Sequence, residues 1–235
     1  MTILGIETAT ERLSAALITD DKHVFERHED SRSSHCELIT GFIMALTEEA
    51  DVSLDSIDCI AVSTGPGSFT GLRIGIATAM GLAYGLGITT VPVITLAALA
   101  WKAADPGTLV CPLIDAKRSE AYAGIYRLTG GIPETVYEPA AVLVGKLAGI
   151  LRDTGEPVTI TGPAADLFTN LLEQQEGKSL FCSPLQKSKP SAVPVAELGS
   201  LIFLESGGIN PVSLRPVYLR RSDAEIARSK RCLRA

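Results

Sequence analysis

The stretch Ser63-Thr64-Gly65-Pro66-Gly67-Ser68-Phe69-Thr70-Gly71-Leu72-Arg73-Ile74-Gly75 decides the reading of the fold. Residues 57–63, which lead into it, are a short apolar run that reads as a buried strand. Gly65-Pro66-Gly67 breaks that run, and Ser68 is placed to cap a helix by accepting from the N–H three residues on. Apolar spacing then carries the helix to about Gly85. A strand that feeds a helix through glycines is a building unit of α/β folds, and a helix N-terminus at a strand end is a natural anion site. Two readings of the turn stay open. Gly65, Gly67, Ser68, Thr70 and Gly71 cradle a phosphate or carboxylate, or the glycines let the helix lie close against another element. The sharper phosphate and nucleophile motifs fail. No lysine completes GxxxxGK[ST], the third glycine of GxGxxG arrives one residue late at Gly71, and Phe69 stands where GxSxG needs its serine.

Working outward, residues 2–9, 12–20 and 24–29 read as a meander of strands, the last more polar and nearer an edge. Ser33 or Ser34 with Glu37 makes a capping signal, and Leu38, Ile39, Phe42, Ile43 and Leu46 at helical spacing predict a helix over 34–50. A strand at 91–94 and a helix at 96–103 follow. After the turn Asp105-Pro106-Gly107 the pattern restarts, with strands at 108–115, 120–128 and 132–137, a helix at 141–153, a strand at 157–161, a helix at 163–175 and a short strand at 180–182. A last helix spans 193–205. Three strands, helix, strand, helix thus occur twice. The expected architecture is a two-lobed α/β protein, each lobe a mixed sheet flanked by helices. Its parts are an N-terminal lobe 1–104, a C-terminal lobe 105–190, a helix within 191–210 that packs back on the first lobe, and a C-terminal segment 211–235 with a basic tail.

Composition narrows the function. Of the 235 residues 46% are hydrophobic but only 5% aromatic, so the core is built from Ala, Leu, Ile and Val, which suits helices packed on a sheet. A net charge of −6 denies the chain the basic field of a protein that binds nucleic acid alone, so any RNA contact needs a local patch or a partner. The tail supplies one such patch, with Arg220, Arg221, Arg228, Lys230 and Arg231 as candidate tRNA contacts, the bland alternative being a solubilising tail. Cys36, Cys59, Cys111, Cys182 and Cys232 form no CxxC pair and read as reduced thiols of a cytoplasmic protein. The N-terminus reads as a strand, not a signal peptide, and no stretch reaches the roughly 18 uninterrupted apolar residues of a membrane helix. No metal is expected. His35 opens a helix with Ile39 four residues on, and His23 and His28 fall on opposite faces of a strand, so all three read as exposed or capping histidines.

Four blocks carry a family resemblance: Ile3-Leu4-Gly5-Ile6-Glu7-Thr8-Ala9-Thr10, the glycine-rich Gly65–Gly75, Asp115-Ala116-Lys117-Arg118-Ser119-Glu120-Ala121-Tyr122, and Arg215-Pro216-Val217-Tyr218-Leu219-Arg220. In this order, and spread over the whole chain, they resemble the TsaB/YeaZ family, paralogues of TsaD. The resemblance implies an actin-like, ribonuclease H-like (ASKHA) fold. It also implies a non-catalytic subunit in the cytoplasm that supports bacterial tRNA threonylcarbamoyladenosine synthesis. Its implied partners are a TsaD-like paralogue, a TsaE-like ATPase, tRNA through the complex, and a second copy of itself when alone. The residues agree with the lack of chemistry. A nucleotide-binding version of the fold would carry phosphate hairpins at Glu7–Thr10 and Asp115–Lys117, but glycine is missing from both, and Pro163 stands where a backbone donor is needed. Glu7 then reads as a polar strand-end residue. No cofactor is expected. The competing classes are an actin-fold ATPase or kinase and a zinc peptidase. The candidate partner surface is Leu38, Phe42 and Met44 or Leu46 on the first helix with Leu72, Ile76 and Met80 on the second, where interspersed glycines permit close helix approach, the alternative being ordinary core packing of these residues on the sheet.

Overall fold

The computed structural model describes residues 1–30, 35–101, 103, 105–168, 181–182 and 189–220. The first sheet contains β1 (Ile3–Glu7), β2 (Arg12–Ile18), β3 (Val24–Asp30), β4 (Cys59–Gly65) and β5 (Thr89–Ile94), in the spatial order β3-β2-β1-β4-β5. β1, β2 and β3 pair antiparallel, whereas β4 and β5 continue the sheet in parallel. The second sheet contains β6 (Leu109–Lys117), β7 (Glu120–Arg127), β8 (Glu134–Leu143), β9 (Val158–Thr161) and β10 (Phe181–Cys182). Its order, β10-β9-β6-β7-β8, repeats that of the first sheet strand for strand, with the same mixture of antiparallel and parallel pairs. The duplication read from the order of elements is therefore a duplication of topology. This is the two-lobed actin-like, ribonuclease H-like (ASKHA) architecture, two mixed sheets flanked by helices.

Period-two alternation assigns each strand face to its own helices. Leu4 and Ile6 of β1 face α1 (His35–Glu49) and α2 (Phe69–Leu86), where Ile39, Ile43, Leu46, Ile76 and Ala79 complete one core. Ile3 faces the other way, toward α5 (Ala192–Ser206) with Val195, Ala196 and Leu198. Gly5 shares that face and is obligatory there, because an added Cβ would press into the Ala192 carbonyl and stand 2.9 Å from the Ala196 methyl. The last helix thus packs back on the first sheet. Trp101 helps fix it by donating Nε1–H to Glu197 at 3.1 Å.

α3 (Thr95–Trp101) joins the lobes through both of its sides. Ala98 packs with the first sheet, while Leu96, Leu99 and Ala100 pack with Val110, Ile114, Tyr126 and Leu128 of the second. The opposite face of the second sheet is covered by α4 (Val144–Asp153) and by residues 164–168. The expected helix over 141–153 begins late, because Ala140, Ala141, Val142 and Leu143 pair with β7 and lengthen β8 beyond the expected 132–137. Of the helix expected over 163–175, residues 163–168 are described, 163–164 as a turn and 165–168 as helix. The cap expected at Ser33 or Ser34 lies outside the described residues.

Substituting Gly5→Ala should lower stability by about 1–3 kcal/mol by overpacking the α5 seam, read as a lower urea midpoint. An unchanged midpoint would show that α5 does not sit on β1 this closely.

Candidate partner surface and interlobe cleft

The local chemistry of the glycine-rich turn is simple. Ser68 caps α2, its hydroxyl accepting from Gly71 N–H at 3.2 Å, and Gly87 ends the helix in the left-handed conformation with φ 68°. The Ser68 amide donates to the Ala9 carbonyl at 2.6 Å. Side chains at Gly67, Gly71 and Gly75 would collide respectively with the Ala9 carbonyl, the Thr8 carbonyl and the Thr8 hydroxyl. The glycines therefore let the first turns of α2 lie directly on the β1–β2 turn. The surface they meet is made of carbonyl oxygens, which repel an anion, and the amides of Ser68 and Gly71 are already committed. This geometry favours the close-packing reading of the turn over the anion cradle.

The turn forms one wall of a cleft of about 810 Å³ between the lobes. Thr10, Arg12, Asp30 and His35 line it from the first lobe, and Asp115, Lys117, Tyr122 and Pro163 from the second. The charges here are paired within the wall. Asp30 lies 2.7 Å from Arg12 Nε and 2.7 Å from Lys189 Nζ, and the hydrogen bonds from these two cations hold its carboxyl well below the usual range. Lys117 occupies the position where a nucleotide-binding hairpin would have glycine, with a left-handed φ of 66°. It folds back on Asp115, donating its amide to one carboxylate oxygen and its ammonium to the other, both at 2.7 Å. An approaching phosphate would meet a side chain and an engaged carboxylate in place of a bare backbone. Gly162 retains φ 96°, with Leu113 O only 2.6 Å from where its Cβ would lie.

Several sequence expectations need correction. Leu72 and Ile76, expected on a partner surface, are core residues at 0% and 5% exposure, because they lie on the stripe of α2 that faces the sheet. Leu38, Phe42 and Met80 are half-buried at the margin of that core. The accessible face is carried instead by Thr40, Gly41 and Met44 of α1 and by Arg73, Ala77, Gly81, Tyr84 and Gly85 of α2. His35 is not exposed. It is buried, with Nε2 3.2 Å from the Glu11 carbonyl, tying the start of α1 to the β1–β2 turn. Arg220 is not an open phosphate contact, since its guanidinium donates to the Ala116 carbonyl and lies 3.7 Å from Glu120. Arg221, Arg228, Lys230 and Arg231 lie outside the described residues. Among the described residues no cluster of three His, Cys, Asp or Glu side chains is placed to hold a metal ion. Burial pushes the thiols of Cys59 and Cys111 up to about 12, which leaves both protonated and unreactive.

Comparison with known proteins decides the family. The profile of the family described as "TsaD: tRNA N6-adenosine threonylcarbamoyltransferase" matches residues 28–183. The tRNA threonylcarbamoyladenosine biosynthesis protein TsaB of Escherichia coli is 31% identical over 246 residues, covering 95% of this chain and 96% of that one. Its Bacillus subtilis counterpart is 29% identical over 225 residues, covering 96% of each. The chain belongs to the TsaB/YeaZ family. The family therefore places it in tRNA threonylcarbamoyladenosine biosynthesis. A solved structure of YeaZ from Pseudomonas aeruginosa is similar throughout, with a TM-score of 0.77, 26% identity and coverage of 92% and 100% of the two chains.

Sequence reasoning missed two features of this family member. The first is an aromatic and cationic cluster at the start of α2. Tyr218 stacks on Phe69 at 4.3 Å, Arg73 lies 4.0 Å above the Phe69 ring, and Arg73 Nε donates to the Tyr218 hydroxyl at 3.2 Å. The residues are far apart in the chain, so no local pattern joins them. The second is the burial of Glu7, which ends β1 as expected but is only 1% exposed. It accepts from the Ala9 amide at 2.5 Å and borders a cavity of about 30 Å³ with Thr95, Lys189 and Ser191. Its pKa rises from the ordinary 4.5 to about 7, because burial outweighs the lowering by the Ala9 amide and the Ser63 hydroxyl.

The folded state therefore holds a proton that the unfolded chain releases, so stability should fall as pH rises from about 4.5 to about 7. The drop is roughly 3 kcal/mol in total. Glu7→Gln, which keeps an acceptor for Ala9, should flatten that slope and exceed the wild type in denaturant midpoint above pH 7. A slope that survives the substitution would assign the titration elsewhere.

Proposed function

We propose that this chain is a non-catalytic subunit of the bacterial complex that makes tRNA threonylcarbamoyladenosine, where it binds and stabilises a TsaD-like paralogue that carries out the transfer. One observation carries the reading. α2 is apolar enough over its 18 residues to resemble a membrane span, yet only 33% of it is buried. One side of the helix is core, whereas the other is a bare strip of Ala77, Gly81, Tyr84 and Gly85 beside Gly41 and Met44 of α1. Nothing lies within 4 Å of where a Cβ would stand at Gly41, Gly81 or Gly85. Small residues flanking exposed Tyr84 and Met44 suit close approach by another pair of helices, with the two large side chains as anchors. A paralogue of the same fold would offer such a pair, as would a second copy of this chain. One shared face makes the homodimer and the heterodimer mutually exclusive. The cleft supports the same reading, because Lys117 and Asp115 close on one another where a nucleotide's phosphates would need backbone. In this reading the complex works in the cytoplasm with a TsaE-like ATPase, and tRNA reaches this chain through the assembly, with the basic segment after Arg220 as the local contact.

Reconstituted tRNA modification with the TsaD-like protein, the TsaE-like ATPase and the adenylate-forming enzyme should fall to background when this chain is omitted. Undiminished modification without it would overturn the proposal. Tyr84→Asp and Met44→Asp, at positions 75% and 52% exposed, should leave the thermal midpoint in place. Each should weaken TsaD-like partner affinity by about 10- to 100-fold, measured by calorimetry. Unchanged affinity in both would move the interface off this face.

A further inference from the structure

The segment after α5 crosses from one lobe to the other at the mouth of the cleft. It begins with a turn at Pro211–Ser213 against α2. Leu214 then enters the core beneath α1 and α2 at 1% exposure. Val217 donates its amide to Thr64 O at 2.7 Å, and its own carbonyl lies 2.6 Å from where a Gly65 side chain would begin. The left-handed φ of 121° at Gly65 and this contact both exclude a side chain there, so the glycine-rich turn is shaped to receive the strap. Tyr218 stacks on Phe69 and accepts from Arg73, both in the first turns of α2. Arg220 reaches the second lobe, where it donates to the Ala116 carbonyl and pairs with Glu120 on the β6–β7 hairpin. That side chain is only 14% exposed, so this ion pair is better shielded than the surface pairs of the molecule.

The mechanical consequence follows from where the lobes are joined. α3 packs on both sheets, so a relative rotation of the lobes would turn about this junction. Val217, Tyr218, Leu219 and Arg220 line the cleft itself. A contact across the open side of a hinge resists opening far more effectively than one beside the axis, because the same rotation displaces it further. We propose that Leu214–Arg220 is an interlobe latch: rooted under α2 by Leu214 and Val217, locked to the first turns of α2 by Tyr218 and closed on the β6–β7 hairpin by Arg220, it couples the opening of the cleft to the position of the α2 N-terminus. Its bearing on partner binding rests on the docking reading of α2 given above, whereas the latch itself does not. When the hairpin moves outward, Arg220 pulls Tyr218 against Phe69 and Arg73. When a partner shifts α2, the same chain of contacts is transmitted to the hairpin.

Hydrogen exchange on the isolated full-length chain tests the coupling without any partner. Arg220→Ala should speed exchange about tenfold at the hairpin amides 117–120 and, through Tyr218, at the α2 amides 70–75, in line with loss of a shielded charge-assisted contact. Glu120→Gln removes the ion pair from the other lobe while leaving the Ala116 hydrogen bond, and should give the same pattern more weakly, which covers the case of poor folding of Arg220→Ala. Unchanged exchange at 117–120 in both variants would overturn the latch, and faster exchange there without any change at 70–75 would overturn the coupling. A partner-affinity measurement on Arg220→Ala then separates the two readings. A loss of about 3- to 10-fold is expected from a residue outside the docking face. Normal affinity with altered exchange at both places would leave the latch standing and count against docking through α2.

Discussion

The rest of the molecule is arranged around the contact between α2 and the β1–β2 turn. Gly67 just before α2, and Gly71 and Gly75 in its first two turns, bring the backbone onto Thr8 and Ala9. Because that distance is set by backbone and not by side chains, it has little tolerance. Placed so, α2 buries Leu72, Ile76 and Ala79 against the sheet and leaves its other side bare. The same approach brings Gly65 to the strap and the Phe69 ring to Tyr218. One short contact thus fixes the core, the exposed helix face and the crossing of the C-terminal segment.

The contact also accounts for the character of the cleft. A phosphate-binding version of this fold needs bare, donor-rich turns opposite one another. Here the first turn presents carbonyls to a helix, and the second is closed by Lys117 on Asp115. Arg12 and Lys189 share the one carboxylate of Asp30 along the wall. Several polar groups of the wall are thus engaged with each other. The solved YeaZ structure similar to this chain keeps the same shape throughout.

Much of this was legible in the sequence. Elements whose signals are local were placed correctly: the cap at Ser68, the polar edge strand β3, the break at Gly65-Pro66-Gly67 and the restart after Gly107. The late start of α4 was not, because Ala140–Leu143 has helical composition and becomes strand only through pairing with β7. The partner surface was half legible. Spacing revealed two apolar helices, but which stripe of each meets the sheet depends on how the helix is rotated about its axis. Leu72 and Ile76 turned inward, while Met44, one of the surplus apolar residues of the first helix, and Tyr84, which no periodicity singled out, turned outward.

By itself the sequence determined the repeated order of strands and helices, the family, and the presence of Lys117 and Pro163 where a phosphate hairpin would have glycine and a backbone donor, since these depend on residue identity at fixed spacing. Tertiary structure alone decided the burial of Glu7 and His35, the inward commitment of Arg220 and the stack of Tyr218 on Phe69 and Arg73. Each of these joins groups that are distant along the chain or sets a local dielectric, and both depend on how the sheets, helices and strap enclose a side chain. The glycine-rich turn belongs to both levels. Its residues announced that something must come close, and the fold supplied what does: the carbonyls of the β1–β2 turn on one side and the strap on the other.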